Sequence, residues 1–277
     1  MSKVSPWTDE LAFATDLARR AGKILRESYE HVERIDRKSP RDVVTEVDYA
    51  SEKLALAAIR DRYPHDAILA EESGHHERVS ARREASGRTW VVDPLDGTVN
   101  YANGIPYFCV SVAMVDKERP AVGVILDPLR DDCYAATADG PATLNGRAVR
   151  ASGKGKLGDF VVSMAIIGRG GIGRERRISR EIRIPRRMGS AALSLAYVAG
   201  GRFDAFVQNG GLSLWDVAAA GLIAERAGAT VSDLSGGPWW DASRRSASVS
   251  IVAAPQPHHG TLLELLAAAG TRVRTRR

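Results

Sequence analysis

The chain has 277 residues, 44% hydrophobic and 26% charged, a balance that excludes a disordered, collagenous or disulfide-scaffold protein and suffices for two lobes. Lys and Arg outnumber Asp and Glu by 39 to 34, and the net +5 suits anionic substrates as well as nucleic acid. Cys109 and Cys133 are the only cysteines, no run of about 18 apolar residues occurs, and residues 1–10 lack the apolar core of a signal peptide, so the expectation is a cytoplasmic protein without a membrane span.

Leu11, Ala14, Leu17, Ala18, Ala21, Ile24 and Leu25 recur at three- and four-residue steps and predict an amphipathic helix over 7–28. The polar stretch 33–42, with Arg34, Arg37, Lys38 and Arg41 around Ser39-Pro40, reads as an exposed, mobile loop. A second helix begins near Asp48 and ends at Tyr63-Pro64. Short β-type runs follow at 67–70, 89–92, 108–115, 121–126 and 133–138, predicting a largely antiparallel sheet beside the two helices. After Asn145-Gly146, strands at 160–165, 203–207, 230–232 and 248–253 alternate with helices at 190–199, 216–227 and 260–269, the pattern of an α/β lobe. The expected division is an N-terminal α+β lobe over 1–152 and a C-terminal α/β lobe over 153–277. His75-His76 and His258-His259 lack a third ligand at zinc spacing and read as exposed loop residues.

The segment Trp90-Val91-Val92-Asp93-Pro94-Leu95-Asp96-Gly97-Thr98 runs an apolar strand directly into two acids. Carboxylates gathered at a strand end repel one another, and such a set usually holds a hard divalent cation on oxygen ligands. Gly97 leaves backbone N–H groups open to an anion, and a helix starting at Thr98 would add its positive end. Each acid also has an ordinary reading, since Asp-Gly-Thr is a common turn, Glu71 and Glu72 suit a solvated turn, and Asp48 and Asp216 suit helix caps. Together they point to one site built from both lobes.

Asp42-Val43-Val44-Thr45-Glu46-Val47-Asp48, Glu71-Glu72-Ser73-Gly74, the segment from Trp90 to Thr98 with Asn100-Tyr101, Gly189-Ser190-Ala191-Ala192 and Trp215-Asp216-Val217-Ala218-Ala219-Ala220-Gly221 resemble, in order, the signatures of the inositol monophosphatase family. The resemblance implies an αβαβα layered sandwich of the inositol monophosphatase and fructose-1,6-bisphosphatase type. It also implies a homodimer that hydrolyses small phosphomonoesters with Mg²⁺, two to three ions, under inhibition by Li⁺. Carried over, it implies that Glu71, Asp93 and the Leu95 carbonyl hold one ion, and that Asp93, Asp96 and Asp216 hold a second. Asp48 and Thr98 would activate the water, with Glu71 also counted catalytic and Glu72 an outer group. Gly97, Thr98, Gly189, Ser190, Ala191, Gln208 and Asp216 would contact substrate.

The chain departs from the family pattern in a short, basic segment between Ala165 and Gly189, in a degenerate hairpin near Asp139-Gly140-Pro141-Ala142, and in Gln208, where inositol phosphatases tend to present a Glu. Fructose-1,6-bisphosphatase, histidinol-phosphate phosphatase and adenosine bisphosphate nucleotidase activities are the alternatives within the class. A partner of nucleic acid or of the transcription machinery, suggested by the charge and the Arg-rich residues 271–277, is the alternative from another class.

Overall fold

The computed structural model describes residues 5–39, 42–76, 86–168, 170–244 and 247–268. Helix α1 (Thr8–Ser28) forms as its periodicity predicts, burying Ala14, Leu17, Ala18, Ala21 and Leu25 along one face. The stretch expected to be a mobile loop is instead the first strand of an antiparallel hairpin, β1 (Ile35–Ser39) with β2 (Asp42–Thr45). Val43, Val44 and Thr45 supply the β-branched partner that the Arg-rich strand lacks on its own. Helix α2 (Glu46–Arg62) begins two residues before Asp48, because Thr45 is extended and caps it.

An eight-stranded sheet follows, built from β3 (Ala67–Ala70), β4 (Gly74–His76), β5 (Arg88–Asp96), β6 (Cys109–Asp116), β7 (Arg119–Asp127), β8 (Asp132–Thr137), β9 (Thr143–Leu144) and β10 (Arg147–Ala148). Its order is β10-β9-β8-β7-β6-β5-β3-β4, antiparallel at every step except β3 with β5. A five-stranded sheet takes β11 (Val161–Ala165), β12 (Ile184–Arg186), β13 (Ala205–Leu212), β14 (Thr230–Ser232) and β15 (Val249–Ala254) in the order β12-β11-β13-β15-β14. Three corrections concern this half. The basic segment contains a helix, α4 (Gly171–Glu181), which follows the short α3 (Thr98–Ala102) in chain order, and the strand β12. Strand β13 runs on to Leu212, through a register shift after Gln208. His258 and His259 open helix α7 (His258–Ala267) and are buried, with His259 Nε2 2.9 Å from Ser232 Oγ.

The period of two along each strand sorts side chains into layers. On β6, Val110, Val112 and Met114 pack with α1 and α2, whereas Cys109, Ala113 and Val115 face α5 (Ala191–Ala199) and α6 (Leu214–Arg226). On β13, Phe206 faces α5 and α6, whereas Ala205 and Val207 pack with Ile178 of α4 and Leu262 of α7. The result is an αβαβα sandwich, as the family resemblance implies. Its central helices approach the larger sheet closely: a Cβ on Gly123 of β7 would lie 2.7 Å from the Ala219 carbonyl oxygen and 2.9 Å from its Cα.

That contact sets the height of α6 above the sheet. Gly123→Ala is expected to lower stability by about 1–3 kcal/mol, because backbone and not a flexible side chain must move. Urea denaturation measures this, and an unchanged midpoint would show that α6 is not held there.

Candidate active site

Strand β5 places Val91 and Asp93 on the face toward α5 and α6. Pro94 has no N–H for the ladder, so pairing with β6 slips between Asp93 and Asp96 and the chain turns. Within the turn the Leu95 N–H donates to Asp93 Oδ1 at 3.0 Å. Gly97 closes it at φ 101°, where a Cβ would meet the Tyr107 carbonyl at 3.1 Å and Ser190 at 3.2 Å. Thr98 then begins the short helix α3.

Asp96 is gripped from the start of α5. The Ser190 hydroxyl donates to its Oδ2 at 2.5 Å and the Ala192 N–H to the same oxygen at 2.7 Å. Asn100 adds a second tie, donating from Nδ2 to the Tyr107 and Met188 carbonyls at 2.7 and 2.8 Å. Asp216 is the third residue of α6 and accepts the Ser213 N–H at 2.6 Å. Asp48 does the same for Thr45, at 2.8 Å from its N–H and 2.6 Å from its hydroxyl. Both were expected as caps; Ser213 and Thr45 are the caps, because the cap residue must be extended and only the acid three positions later reaches back.

One oxygen each from Asp93, Asp96 and Asp216 lie within 4.8 Å of one another. Oxygen donors of this kind and charge suit a hard divalent cation. Glu71 stands close enough to Asp93 to raise its pKa, and Glu71 Oε1 accepts from Lys38 Nζ at 2.9 Å. The same ammonium reaches Glu72 at 2.5 Å. Thr98 Oγ1 lies 3.0 Å from Asp48 Oδ1 and 3.0 Å from the Leu95 carbonyl oxygen. The structure therefore gathers Asp48, Glu71, Asp93, Leu95, Asp96, Thr98 and Asp216 from four separate segments.

Beside the acids lies a cleft of about 350 Å³ lined by Asp96, Gly189, Ser190, Ala191, Gln208 and Asp216, with Arg187 at its rim. A second hollow, of about 590 Å³, adjoins the same site and is lined by Lys38, Glu71, Glu72 and Asp216, whereas none of the three clustered aspartates lines the hollow of about 560 Å³ near Trp239 and Trp240. Gln208 Nε2 donates to the Gly210 carbonyl at 3.3 Å.

Two residues escaped the sequence reading. Lys38 lies in the stretch that reads as an exposed, mobile loop, and the β1–β2 hairpin brings it to Glu71 and Glu72. Glu52 is buried and accepts the Glu72 N–H at 2.8 Å and the Ser73 hydroxyl, so it fixes the turn that carries Glu71. Its spacing of four from Asp48, which puts both on one helix face, was the available signal.

Burial is the main cause of the site's pKa shifts. It raises Asp48 and Asp96 to about 6, Asp96 despite hydrogen bonds from Ser190 and Ala192 that pull the other way. Glu72 rises to about 7, burial outweighing Lys38. Asp93 is held well above the usual carboxylate range by burial and by Glu71, Asp96 and Asp216. For Lys38, burial opposes the charge, but Glu71 and Glu72 prevail and raise its pKa.

Carboxyl groups whose folded pKa exceeds the unfolded value favour the folded state at low pH and lose that contribution as pH rises through about 6 to 7. Buried His259, whose pKa is lowered, opposes this below its unfolded value of 6.5, but it stands against the four site acids and Glu225, which burial also raises. The lowered carboxyls of Asp139, Asp159, Asp233 and Asp241 act mainly below their unfolded value of 3.8, outside this window. In chelator, the melting temperature should therefore be higher at about pH 5 than at about pH 8, and Mg²⁺ should raise it most at the higher pH. Calorimetry at the two pH values checks this; a flat profile would mean that the acids are not held above the usual carboxylate range.

Residues 7–272 match the model of the inositol monophosphatase family. The chain is 39% identical over 241 residues to Nus factor SuhB of Pseudomonas aeruginosa, covering 82% of this chain and 86% of that one. It is also 39% identical over 228 residues to inositol-1-monophosphatase of Mesorhizobium japonicum, covering 79% and 84%. Among solved structures, the extragenic suppressor protein suhB of Bartonella henselae superposes with a TM-score of 0.85 at 31% identity, over 95% of this chain and all of that one. The IMPase of Thermotoga maritima does so with a TM-score of 0.82 at 30% identity, over 94% and 97%. With its sandwich fold, its clustered aspartates and a match that spans nearly its whole length, the chain belongs to the inositol monophosphatase family.

Proposed function

We propose that this protein is a Mg²⁺-dependent phosphatase that hydrolyses a small phosphomonoester of the polyol or sugar phosphate type. The observation that carries this is the convergence of Asp93, Asp96 and Asp216 at the edge of a cleft sized for a small molecule. Glu71, Asp93 and the Leu95 carbonyl would hold one Mg²⁺, and Asp93, Asp96 and Asp216 another, with a third ion as the upper count. The ions would supply Lewis-acid charge at the phosphoryl oxygens and the leaving oxygen.

The chain's own groups do the rest. Ser190, Ala192, Leu95 and Ser213 each fix one oxygen of an aspartate and so limit how far the acids can turn. Asp48 and Thr98 form a hydrogen-bonded pair that orients the attacking water and takes its proton, and an Asp48 pKa near 6 suits a base at neutral pH. The backbone of Gly97 and Thr98 receives the phosphate, while Gly189, Ser190, Ala191 and Gln208 face the alcohol portion. Gln208 offers one carbonyl acceptor where a Glu would offer a charged pair, so a vicinal diol is held less tightly. Family membership also supports homodimerisation, Li⁺ sensitivity and a cytoplasmic location. Among the described residues no helix is long and apolar enough to cross a membrane.

Phosphate release from a panel of phosphomonoesters should require Mg²⁺ and fall by a factor on the order of 10³ in Asp93→Asn. Inositol 1-phosphate should be a secondary substrate, and Gln208→Glu should raise its kcat/KM by about tenfold relative to the best ester. No metal-dependent release from any ester would favour the alternative of a binding partner of nucleic acid or the transcription machinery. Inositol 1-phosphate leading the panel, with its rank unmoved by Gln208→Glu, would remove residue 208 from specificity.

A further inference from the structure

Residues 171–187 contain seven arginines and two glutamates, a net +5 that equals the charge of the entire chain. The remainder balances at 32 basic and 32 acidic residues. This segment forms α4 and β12, and β12 is an edge strand of the five-stranded sheet. The inner side of α4 is anchored: Ile178 is buried beside Leu262 and Leu266 of α7, and Arg177 Nε donates to the Leu265 carbonyl at 3.0 Å. The outer side is exposed among the described residues. Ile172, Arg176 and Arg180 are exposed at four-residue intervals, a rise of about 6 Å per step. Arg183 pairs with Asp159, Arg187 with Glu175, and Arg186 Nη1 donates to the Pro185 carbonyl at 3.0 Å, while Arg174, Arg176 and Arg180 have no side-chain partner among the described residues.

By local rules α4 is a poor helix. Gly171 and Gly173 occupy its first turn, Arg174 lies near the positive end of its dipole, and Arg176 and Arg180 repel one turn apart. A polyanion lying along the outer side would relieve both charge conflicts.

We propose that the α4–β12 face is a binding surface for the phosphodiester backbone of a nucleic acid, separate from the acidic cleft. Guanidinium forks match phosphate oxygens two at a time, and a row of them one helical turn apart tracks a regularly charged strand. An acidic protein fits less well, because a protein interface needs an apolar centre and α4 exposes one large apolar side chain, Ile172. Backbone contacts are common to RNA and DNA, so both are tested.

The full-length protein is titrated by fluorescence anisotropy with a labelled RNA of about 20 nucleotides, the matching single-stranded DNA and a polyglutamate peptide of similar length, at about 50 to 200 mM salt. Either nucleic acid should bind, with log K falling against log salt at a slope of about −2, reflecting about 0.7 per phosphate neutralised by the three unpartnered arginines. Arg176→Glu with Arg180→Glu should weaken binding tenfold or more and flatten the slope by about 1, with phosphatase activity unchanged. Arg176→Gln with Arg180→Gln removes the charge without reversing it; partial loss of affinity with an unchanged or raised melting temperature excludes misfolding as the cause. No binding to either nucleic acid, binding unaltered in the α4 variants, or equal binding of the peptide would each overturn the proposal. So would a loss confined to a variant with Arg272, Arg274, Arg276 and Arg277 changed to Glu.

Discussion

Carboxylates buried together repel, and around this repulsion the rest of the molecule is organised. Asp93 and Asp96 are almost wholly withdrawn from water, which pushes their pKa values upward; Glu71 adds to the rise at both, and Asp216 to that at Asp93. Left to relax, such groups would turn apart or take up protons. Here each is held through an oxygen: Asp93 by the Leu95 N–H, Asp96 by Ser190 and Ala192, Asp216 by Ser213, and Glu71 by Lys38. A carboxylate fixed through one oxygen presents the other in a defined direction, which is what a cation site requires.

The central helix layer serves both the core and the site. Helices α5 and α6 fill the space between the sheets with small and branched residues, and their N-terminal ends deliver Ser190, Ala192 and Asp216 to the acids. Gly123 beneath Ala219, and Gly221 against the Trp239 ring, let α6 lie close on both sides. The Ser111 hydroxyl on β6 donates to the Trp215 carbonyl at 3.0 Å, so the helix start is pinned to the larger sheet beside Asp93. Packing and chemistry thus depend on the same few contacts.

Charge is segregated as well. The acids of the candidate site sit between the layers, whereas the arginine-rich residues 171–187 lie outside, on α4 and an edge strand. Arg187 joins the two regions, lining the cleft while its guanidinium pairs with Glu175 of α4. Among the described residues, Lys38 of the β1–β2 hairpin is the cation that pairs with Glu71 and Glu72.

Where one face of a segment is buried and the other wet, the sequence by itself determined the element, because burial stamps its period on the residues. Helix α1 shows this, as does the apolar run of β5 ending in Asp93-Pro94-Leu95-Asp96-Gly97-Thr98, and the ordered motifs carried the family and the candidate acids with them. Other features have no local imprint. Helix α4 buries little beyond Ile178 and reads as a basic Gly-rich loop, and His258 and His259 are polar residues covered only because α7 packs on the smaller sheet. Which partner meets which acid was decided by tertiary structure alone. Lys38 finds Glu71 across 33 positions of sequence and Ser190 finds Asp96 across 94, distances that strand order and the stacking of layers close and that no spacing rule along the chain encodes.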